Sequence, residues 1–518
     1  MADETPTLES LLTQDFGTLD QLIGAHARER PGHPAIIQNG ETLTYRELDA
    51  RMHRVAAALR RDGCAEGQVA AICAGTSLNY AATFLGILRA GAAVAPLAPS
   101  STPESLAGML ADSGATLFFL DQAVADALPA RATRRIALDG RDAGEDFETW
   151  LAPAGTIAPS PEIGPDDAFN IIYSSGTTGT PKGIVQPHAM RWHQVKRIIY
   201  DADAITILST PLYSNTTLVS FLPTLGAGGT VVLMAKFDAG EFLRLSALHR
   251  ATHAMLVPVQ YRRIMERPDF DSYDLSSFRL KFSTSAPFAA AIKQDVLKRW
   301  PGGLIEFYGM TEGGGSCILL AHENPTKLHT VGVPMQDHDI RLIDEDGVEV
   351  AAGQIGEIVG RSASMMAGYH NQPEKTRDAE WFSPAGLRYI RTGDVGRFDE
   401  DGFLTLMDRK KDMIISGGFN IYPSDLEAEL ARHPDVAEAA VIGVPSEAWG
   451  ETPVAFVHLH TNALATAEQI RDFVNARVGK TQRLSDIRLI DSLPRSAIGK
   501  VLKRELRDAY TKQERLGA

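Results

Sequence analysis

Eleven consecutive residues, Tyr173-Ser174-Ser175-Gly176-Thr177-Thr178-Gly179-Thr180-Pro181-Lys182-Gly183, concentrate groups that bind anions. Glycines let the backbone turn so that successive N–H groups converge on a charge. The hydroxyls add donors, and Lys182 adds a point charge suited to phosphate. The apolar run at 168–173 reads as a buried strand leading into them. An ordinary polar surface loop is the bland alternative, but such loops rarely hold so many phosphate donors beside a lysine. The pattern is not the usual P-loop, because Gly183 rather than a hydroxyl residue follows Lys182.

Three further stretches carry related chemistry. In Tyr308-Gly309-Met310-Thr311-Glu312-Gly313-Gly314-Gly315 a ring could stack on a base, a hydroxyl could reach phosphate, and a carboxylate could hold Mg²⁺. In Tyr389-Ile390-Arg391-Thr392-Gly393-Asp394 a carboxylate on a tight turn suits two ribose hydroxyls. Pro494-Arg495-Ser496-Ala497-Ile498-Gly499-Lys500 places a lysine on a Pro/Gly loop, which taken alone reads as surface. The charged run Asp408-Arg409-Lys410-Lys411-Asp412 taken alone reads equally as a solvated turn.

The rest of the chain must position these groups. Its 518 residues suggest more than one domain, and 44% hydrophobic with 22% charged residues is a globular composition. A net charge of −14 argues against a dedicated nucleic-acid or anionic-membrane binder. The three cysteines, Cys64, Cys73 and Cys317, show neither metal-ligand spacing nor a disulfide framework, which fits a reducing cytoplasm. The acidic N-terminus has no apolar signal segment, and the most apolar stretch, 84–99, is too interrupted to span a membrane. Thr44-Tyr45-Arg46-Glu47 has capping-box form and precedes helical spacing through Leu48, Met52, Val55 and Leu59. Strand signals at 69–72, 92–97, 205–208, 230–234 and 253–257 alternate with helical ones, predicting an α/β fold with parallel pairs. The stretch 331–403 reads as a β subdomain. Ser424-Asp425-Leu426-Glu427 reads as a second capping box, opening a final hundred residues able to form a small domain.

Together these stretches resemble the adenylate-forming superfamily of acyl-CoA synthetases, peptide-synthetase adenylation domains and firefly-type luciferases. The matching motifs, in order, are 173–183, Tyr308 to Glu312, Thr392-Gly393-Asp394, 408–412 with Gly417-Gly418 and Tyr422-Pro423-Ser424-Asp425-Leu426-Glu427, and 494–500. The resemblance implies an α/β fold: a large N-terminal domain, 1–408, of α/β sheets plus a β subdomain, and a small mobile α+β lid, 409–518, hinged at Lys411. It implies that Ser174, Ser175, Gly176, Thr177, Thr178, Gly179 and Lys182 grip the phosphates of ATP. Ala286, Pro287, Glu306, Tyr308 and Gly309 belong to the nucleotide site. Thr311 reaches the α-phosphate and Glu312 helps hold Mg²⁺. Asp394 takes the ribose hydroxyls with help from Arg409. Lys500, Thr178 and Glu312 are the implied catalytic groups. Gly417 and Gly418 would face a thiol tunnel. Ser285 departs from a glycine common in the family and could crowd the adenine edge.

The implied chemistry follows from charge. A carboxylate attacks the α-phosphate of ATP, giving an acyl adenylate and pyrophosphate; a thiol then displaces AMP. Both first reactants are anions, so Mg²⁺, Lys182 and Lys500 offset their repulsion. The acid pocket is expected from Tyr213, Ser214, Asn215, Tyr261, Ser283, Gly313 and Gly314, with neighbours at 216–217, 259–260, 282–285 and 315–317. These mixed small, aromatic and polar residues suit an aromatic or medium-chain acid. No aspartate at 211–218 stands ready for an α-ammonium, which weakens an amino-acid substrate. The compact junction at 408–426 favours coenzyme A as acceptor. A ligase loading a carrier protein is the alternative, and a catalytically silent nucleotide-binding protein the alternative of another class. No nucleic-acid partner and no membrane span are expected.

Overall fold

The computed structural model describes residues 7–128, 133–174, 182–196, 199–416, 419–447, 449–496 and 499–517. The chain forms two compact units. The first takes residues 1–329, 334–340 and 360–390, the second 330–333, 341–359 and 391–518. The fold is mixed α/β, and the β-rich stretch 331–403 is shared between the units.

Two sheets build the first unit. One runs in the order Gly368–Tyr369, Lys182–Pro187, Ala168–Ser174, Ala93–Pro96, Val69–Cys73, Leu117–Leu120, Arg134–Ala137, Glu145–Asp146. Its strands Ala168–Ser174 and Lys182–Pro187 pair antiparallel, with Ser174 opposite Lys182. The two ends of the phosphate-loop motif therefore meet across one rung, while 175–181 lie outside the described residues. The other sheet contains Cys317–Leu320, Gly303–Tyr308, Leu280–Ser283, His253–Leu256, Ile205–Leu208, Thr230–Leu233, Pro34–Gln38 and Glu41–Thr44, in that order.

The middle of this second sheet is parallel and nearly flush at its C-terminal edge. Leu208 pairs with Met255, Leu256 with Ser283, and Ser283 with Glu306. The loops that follow these strands consequently leave the sheet on one side, the position where open parallel sheets bind ligands.

Local chemistry explains the helices that cover the sheets. Thr44 and Glu47 form the expected reciprocal capping box, and the helix Tyr45–Arg61 buries Leu48, Met52, Val55 and Leu59. It packs against Leu78–Arg89, a helix buried at every residue but Asn79. Gly86 permits that approach: a Cβ there would lie 2.5 Å from the Val55 side chain.

In the second unit a sheet of Phe419–Ile421, Ile414–Ser416, Gly450–Leu459, Val436–Ser446 and Asp486–Leu489 carries a core on each face. Val441 and Val457 join Leu426, Leu430, Ile470 and Val474, whereas Ala440, Ile442, Val454 and Phe456 join Leu493 and Leu506. This is the two-residue alternation of a strand, filled on both sides. The capping box expected at Ser424–Glu427 is not formed. Pro423 starts the helix Pro423–Leu430 one residue earlier, behind Tyr422. The Ser424 N–H instead donates to Asp408 Oδ2 at 2.9 Å, and Glu427 pairs with Lys503 at 2.8 Å.

Glu306, at the end of Gly303–Tyr308, is buried and ion-paired with the equally buried Lys293 of the helix Ala290–Arg299. Lys293 also donates to the Leu328 carbonyl at 2.8 Å. Burial pushes the Glu306 carboxyl up to about 7, against the pull of Lys293. Lys293→Met should leave a buried carboxylate without its counter-ion and cost about 3–5 kcal/mol at pH 8. Because the folded-state pKa lies above the unfolded one, that deficit should shrink as pH falls toward the ordinary 4.5. Unfolding midpoints of variant and parent at pH 8 and pH 5 check this; a deficit independent of pH would assign the loss to packing.

Candidate active site

In the first unit the site is built on the loops leaving the flush strand edge. Ser214 caps the helix Asn215–Gly226 by accepting from the Thr216 N–H. Tyr213 is half-buried, and burial raises its phenol above the ordinary range. Ser285, just past Leu280–Ser283, has φ +81°. Its hydroxyl meets that of Thr216 at 2.6 Å, tying the loop before Ala286 and Pro287 to the helix start. The backbone there has the conformation a glycine would adopt without strain, so a serine costs energy and gains a hydroxyl contact.

Beyond Tyr308 and Gly309, the chain turns back through two glycines of positive φ, Gly313 at +75° and Gly314 at +87°. A Cβ on Gly313 would lie 2.0 Å from the Ser364 carbonyl oxygen, so this turn admits no side chain. The Gly314 N–H donates to the same oxygen at 3.1 Å, and the Met366 N–H donates to the Glu312 carbonyl at 2.8 Å. The Glu312 carboxylate accepts from the Tyr369 hydroxyl at 2.8 Å. The Lys182 ammonium lies 4.7 Å from the centre of the same ring. Tyr369 thus links the lysine of one motif to the carboxylate of the other. The Thr311 carbonyl accepts from Gln186 Nε2 at 2.6 Å.

Glu312 fits a magnesium site of the sparse kind. Among the described residues no group of three or more His, Cys, Asp or Glu side chains could hold a metal ion. Mg²⁺ in nucleotide sites usually takes one or two carboxylates, with phosphates and water completing its shell.

Three expected site residues are placed otherwise. Tyr261 is fully buried: its hydroxyl donates to the Phe282 carbonyl at 2.9 Å and its ring stacks on Phe288. Ser283 is also fully buried. Both lie beneath the sheet edge, with no surface open to an acid. Glu306 is held by Lys293 in the core and offers no accessible carboxylate to a nucleotide. Cys317 is buried, which pushes its thiol up to about 12. Ser175, Gly176, Thr177, Thr178 and Gly179 lie outside the described residues, as do Gly417 and Gly418.

The second unit assembles the other motifs. Asp394 and Arg409 face each other across the antiparallel pair Arg388–Phe398 and Leu404–Arg409, with Nε 3.1 Å from Oδ1. Lys410 and Arg391 both reach Glu357, at 3.2 and 2.6 Å. Lys411 is exposed on the turn that follows, where the Asp412 and Met413 N–H groups both donate to the Arg409 carbonyl. Arg507 of the last helix pairs with Asp412 at 2.8 Å.

Lys500 closes a small hairpin. Arg495 pairs with Val501, the Ser496 N–H donates to the Lys500 carbonyl at 2.8 Å, and Gly499 takes φ +78°. Arg495 braces it by donating to the Gly499 carbonyl at 2.6 Å and pairing with Glu438 at 3.0 Å. Burial, with Arg409 nearby, brings the Lys500 ammonium down to about 8, while Asp394 pulls the other way. The lysine that reads as surface from its loop is therefore drawn into the Asp394–Arg409 neighbourhood of its own unit.

A family model described as AMP-binding enzyme matches residues 23–370, and one described as AMP-binding enzyme C-terminal domain matches 425–500. This chain belongs to the AMP-binding enzyme family. It is 34% identical to a feruloyl-CoA synthase of Amycolatopsis sp, over 93% of this chain and 97% of that protein. It is 31% identical to the fatty acid–[acyl-carrier-protein] ligase ScoC of Streptomyces coeruleorubidus, over 95% and 96%. Among solved structures it resembles ATP-bound MatB from Rhodopseudomonas palustris, at 29% identity and TM-score 0.84, covering 95% of this chain and 99% of that one. As an AMP-binding enzyme it is an AMP-forming acid–thiol ligase, with ATP, a carboxylic acid and coenzyme A as substrates.

One residue of this AMP-binding enzyme and one pairing escape sequence reasoning. Tyr369 lies far from both motifs that it joins, and Thr216, expected only as a pocket neighbour, is found tied to Ser285. The only local signal was the serine at a position where the family often has glycine.

Ser285→Ala should keep the backbone strain and lose the hydroxyl pair; Ser285→Gly loses both. The glycine variant should then be the more stable of the two by about 1 kcal/mol, as compared by thermal unfolding. Equal stability would show the backbone to be unstrained. The parent's kcat/KM for ATP should fall as pH rises through about 8, where the Lys500 ammonium is lost. In Lys500→Arg the residual activity should show no such limb, since a guanidinium stays charged. A limb retained in that variant would assign it to another group.

Proposed function

We propose that this enzyme joins an aromatic acid, of phenylpropanoid or comparable size, to coenzyme A, using the two units in turn. The single observation that supports the division of labour is the partly buried Lys500 hairpin, whose ammonium is within electrostatic reach of Asp394 and Arg409 in the unit that also holds the Lys411 turn. The similarity to feruloyl-CoA synthase supports the acid class. Three free, buried cysteines fit a place in the cytoplasm.

In the first half-reaction Lys182 and the hydroxyls of its loop hold the phosphates of ATP. Asp394 accepts from the ribose hydroxyls, with Arg409 keeping its other oxygen in place. Thr311 and Lys500 donate toward the α-phosphate while the acid's carboxylate attacks it, so that charge gathers where donors already wait. A Mg²⁺ held by Glu312 would offset the charge of the departing pyrophosphate, and Tyr369 orients that carboxylate. In the second half-reaction Lys500 is no longer needed. Turning about Lys411 withdraws it and brings Gly417-Gly418 to the thiol, which attacks the adenylate carbonyl and displaces AMP.

A second reading, transfer to a carrier-protein thiol, draws support from the similarity to the carrier-protein ligase. Thioester formation with free coenzyme A or with a carrier protein decides between them.

Two substitutions separate the half-reactions. Lys500→Ala should lower single-turnover pyrophosphate release by about 10²–10³-fold, the scale for losing one charge-stabilising donor, and largely spare thioester formation from presynthesised adenylate. Lys411→Pro should do the reverse, because proline fixes φ near about −65° and restricts the preceding residue. If both folded variants damaged both steps equally, a lid turning at Lys411 would not describe this enzyme.

A further inference from the structure

Arg191 is an unexpected charge in the first unit. It lies on the helix His188–Val195 and is 2% exposed. No carboxylate faces it among the described residues. Its acceptors are all amide oxygens: Asn170 Oδ1 at 3.2 Å from Nε and 3.1 Å from Nη2, Gln194 Oε1 at 2.8 Å, Asn215 Oδ1 at 2.9 Å, and Gln186 Oε1. The Phe169 ring lies 5.7 Å away. Desolvation, with no acid to oppose it, draws the guanidinium down to about 9. A cation buried among dipoles alone is an expensive arrangement for packing to maintain.

This one guanidinium dictates how four side-chain amides around it are turned. Arginine has only donors, so each amide must present its oxygen to it. Asn170 then sends its NH₂ to Gln186 Oε1 at 2.9 Å, and Gln186 sends its own to the Thr311 carbonyl. Both are buried and used at both ends. Asn215 differs. It opens the helix Asn215–Gly226, is partly exposed, and its NH₂ has no hydrogen-bond partner among the described residues. The next residue, Thr216, meets Ser285 at the strand edge. A pair of N–H donors is thus fixed in direction at the mouth of the loops, with an uncompensated positive charge directly behind it.

We propose that Asn215, oriented by Arg191, reads a hydrogen-bond-accepting group on the acid substrate other than the carboxyl that is activated, and favours an anionic oxygen there over a neutral one. This rests on the reading in which the strand edge holds the acid. The activated carboxyl belongs at the α-phosphate, where Thr311 and Lys500 are assigned. An apolar end group at Asn215 would strip water from two donors and give them nothing in return. An anionic oxygen would in addition meet the Arg191 charge in a region of low dielectric. Arg191 touches no substrate in this scheme; it is a positioning residue.

The test uses the full chain with a non-hydrolysable ATP analogue and matched benzoic and cinnamic acids bearing carboxylate, methoxy, methyl or amino groups on the ring. Calorimetry should rank carboxylate above methoxy above methyl, with the acceptor acids bound about 10–100-fold more tightly than the methyl acid. Asn215→Leu should weaken the acceptor acids and spare the methyl acid. Asn215→Asp keeps an oxygen on Arg191, and so keeps the buried network, but turns an oxygen outward; the ranking should then shift toward the amino acid of the panel. Arg191→Lys should raise KM for the acceptor acids while leaving kcat and the methyl acid's KM near the parent's. Equal affinities in the parent, binding of no panel acid, or an equal loss for every acid in Asn215→Leu would overturn the proposal. Pyrophosphate release measured alongside keeps the two readings apart. Graded binding without turnover would fault the proposed reaction alone, and turnover without graded binding would fault the specificity alone.

Discussion

Four neighbouring strands that end almost in line impose the main constraint on the first unit. Leu208, Leu256, Ser283 and Glu306 bring the chain to one edge, and everything beyond that edge must be held without a strand ladder. Side chains take over that task. Thr216 and Ser285 join two loops, Gln186 reaches the Thr311 carbonyl, and Tyr369 holds Glu312. Each bond links residues distant in sequence, so the site is only as rigid as the core beneath it. The buried Lys293–Glu306 pair and the Tyr261 hydroxyl lie in that core, immediately under the loops.

The same logic governs charge. A reaction between a carboxylate and a polyphosphate needs cations, yet cations near one another repel and resist burial. The cations assigned to it are each held in their own local setting. Lys182 lies against the Tyr369 ring, Arg409 is matched by Asp394, and Lys500 is held in a half-buried hairpin that weakens its hold on its proton. Arg191 has neither an acid among the described residues nor access to solvent, and it shares that condition with Lys281, whose ammonium donates to the Trp300, Pro301 and Gly302 carbonyls; what sets Arg191 apart is that its acceptors are side-chain amides.

How much of this could be read from the chain alone depended on distance along it. The helix Tyr45–Arg61 was legible because its cap, its period and its buried face lie within a few turns. The strands were legible because their apolar runs are bounded by glycine and proline. The second capping box was misread because Pro423 also starts helices, and because Asp408, sixteen residues earlier, claims the Ser424 N–H. Motif resemblance pointed to Glu312, Asp394, Arg409 and Lys500, but motifs say nothing of what stands behind them. Tyr261 and Ser283 looked like pocket residues because they neighbour the loops in sequence; Ser283 is turned inward by the pleat of its strand, and Tyr261 by the buried face of the helix Pro258–Met265. The Arg191 network joins positions 170, 186, 194 and 215, and no pattern in the chain marks these four as partners before the sheet and two helices bring them together.

The second unit's sheet is packed with apolar side chains on both of its faces. A sheet covered on one side only would need the rest of the protein to hide the other. This one has met the hydrophobic demand of its own strands internally. Its packing is complete within its own strands and helices. Under the turn at Lys411 proposed above, such a piece would stay folded while its surroundings change between the two chemical steps, and turnover would not be taxed by repeated melting and refolding.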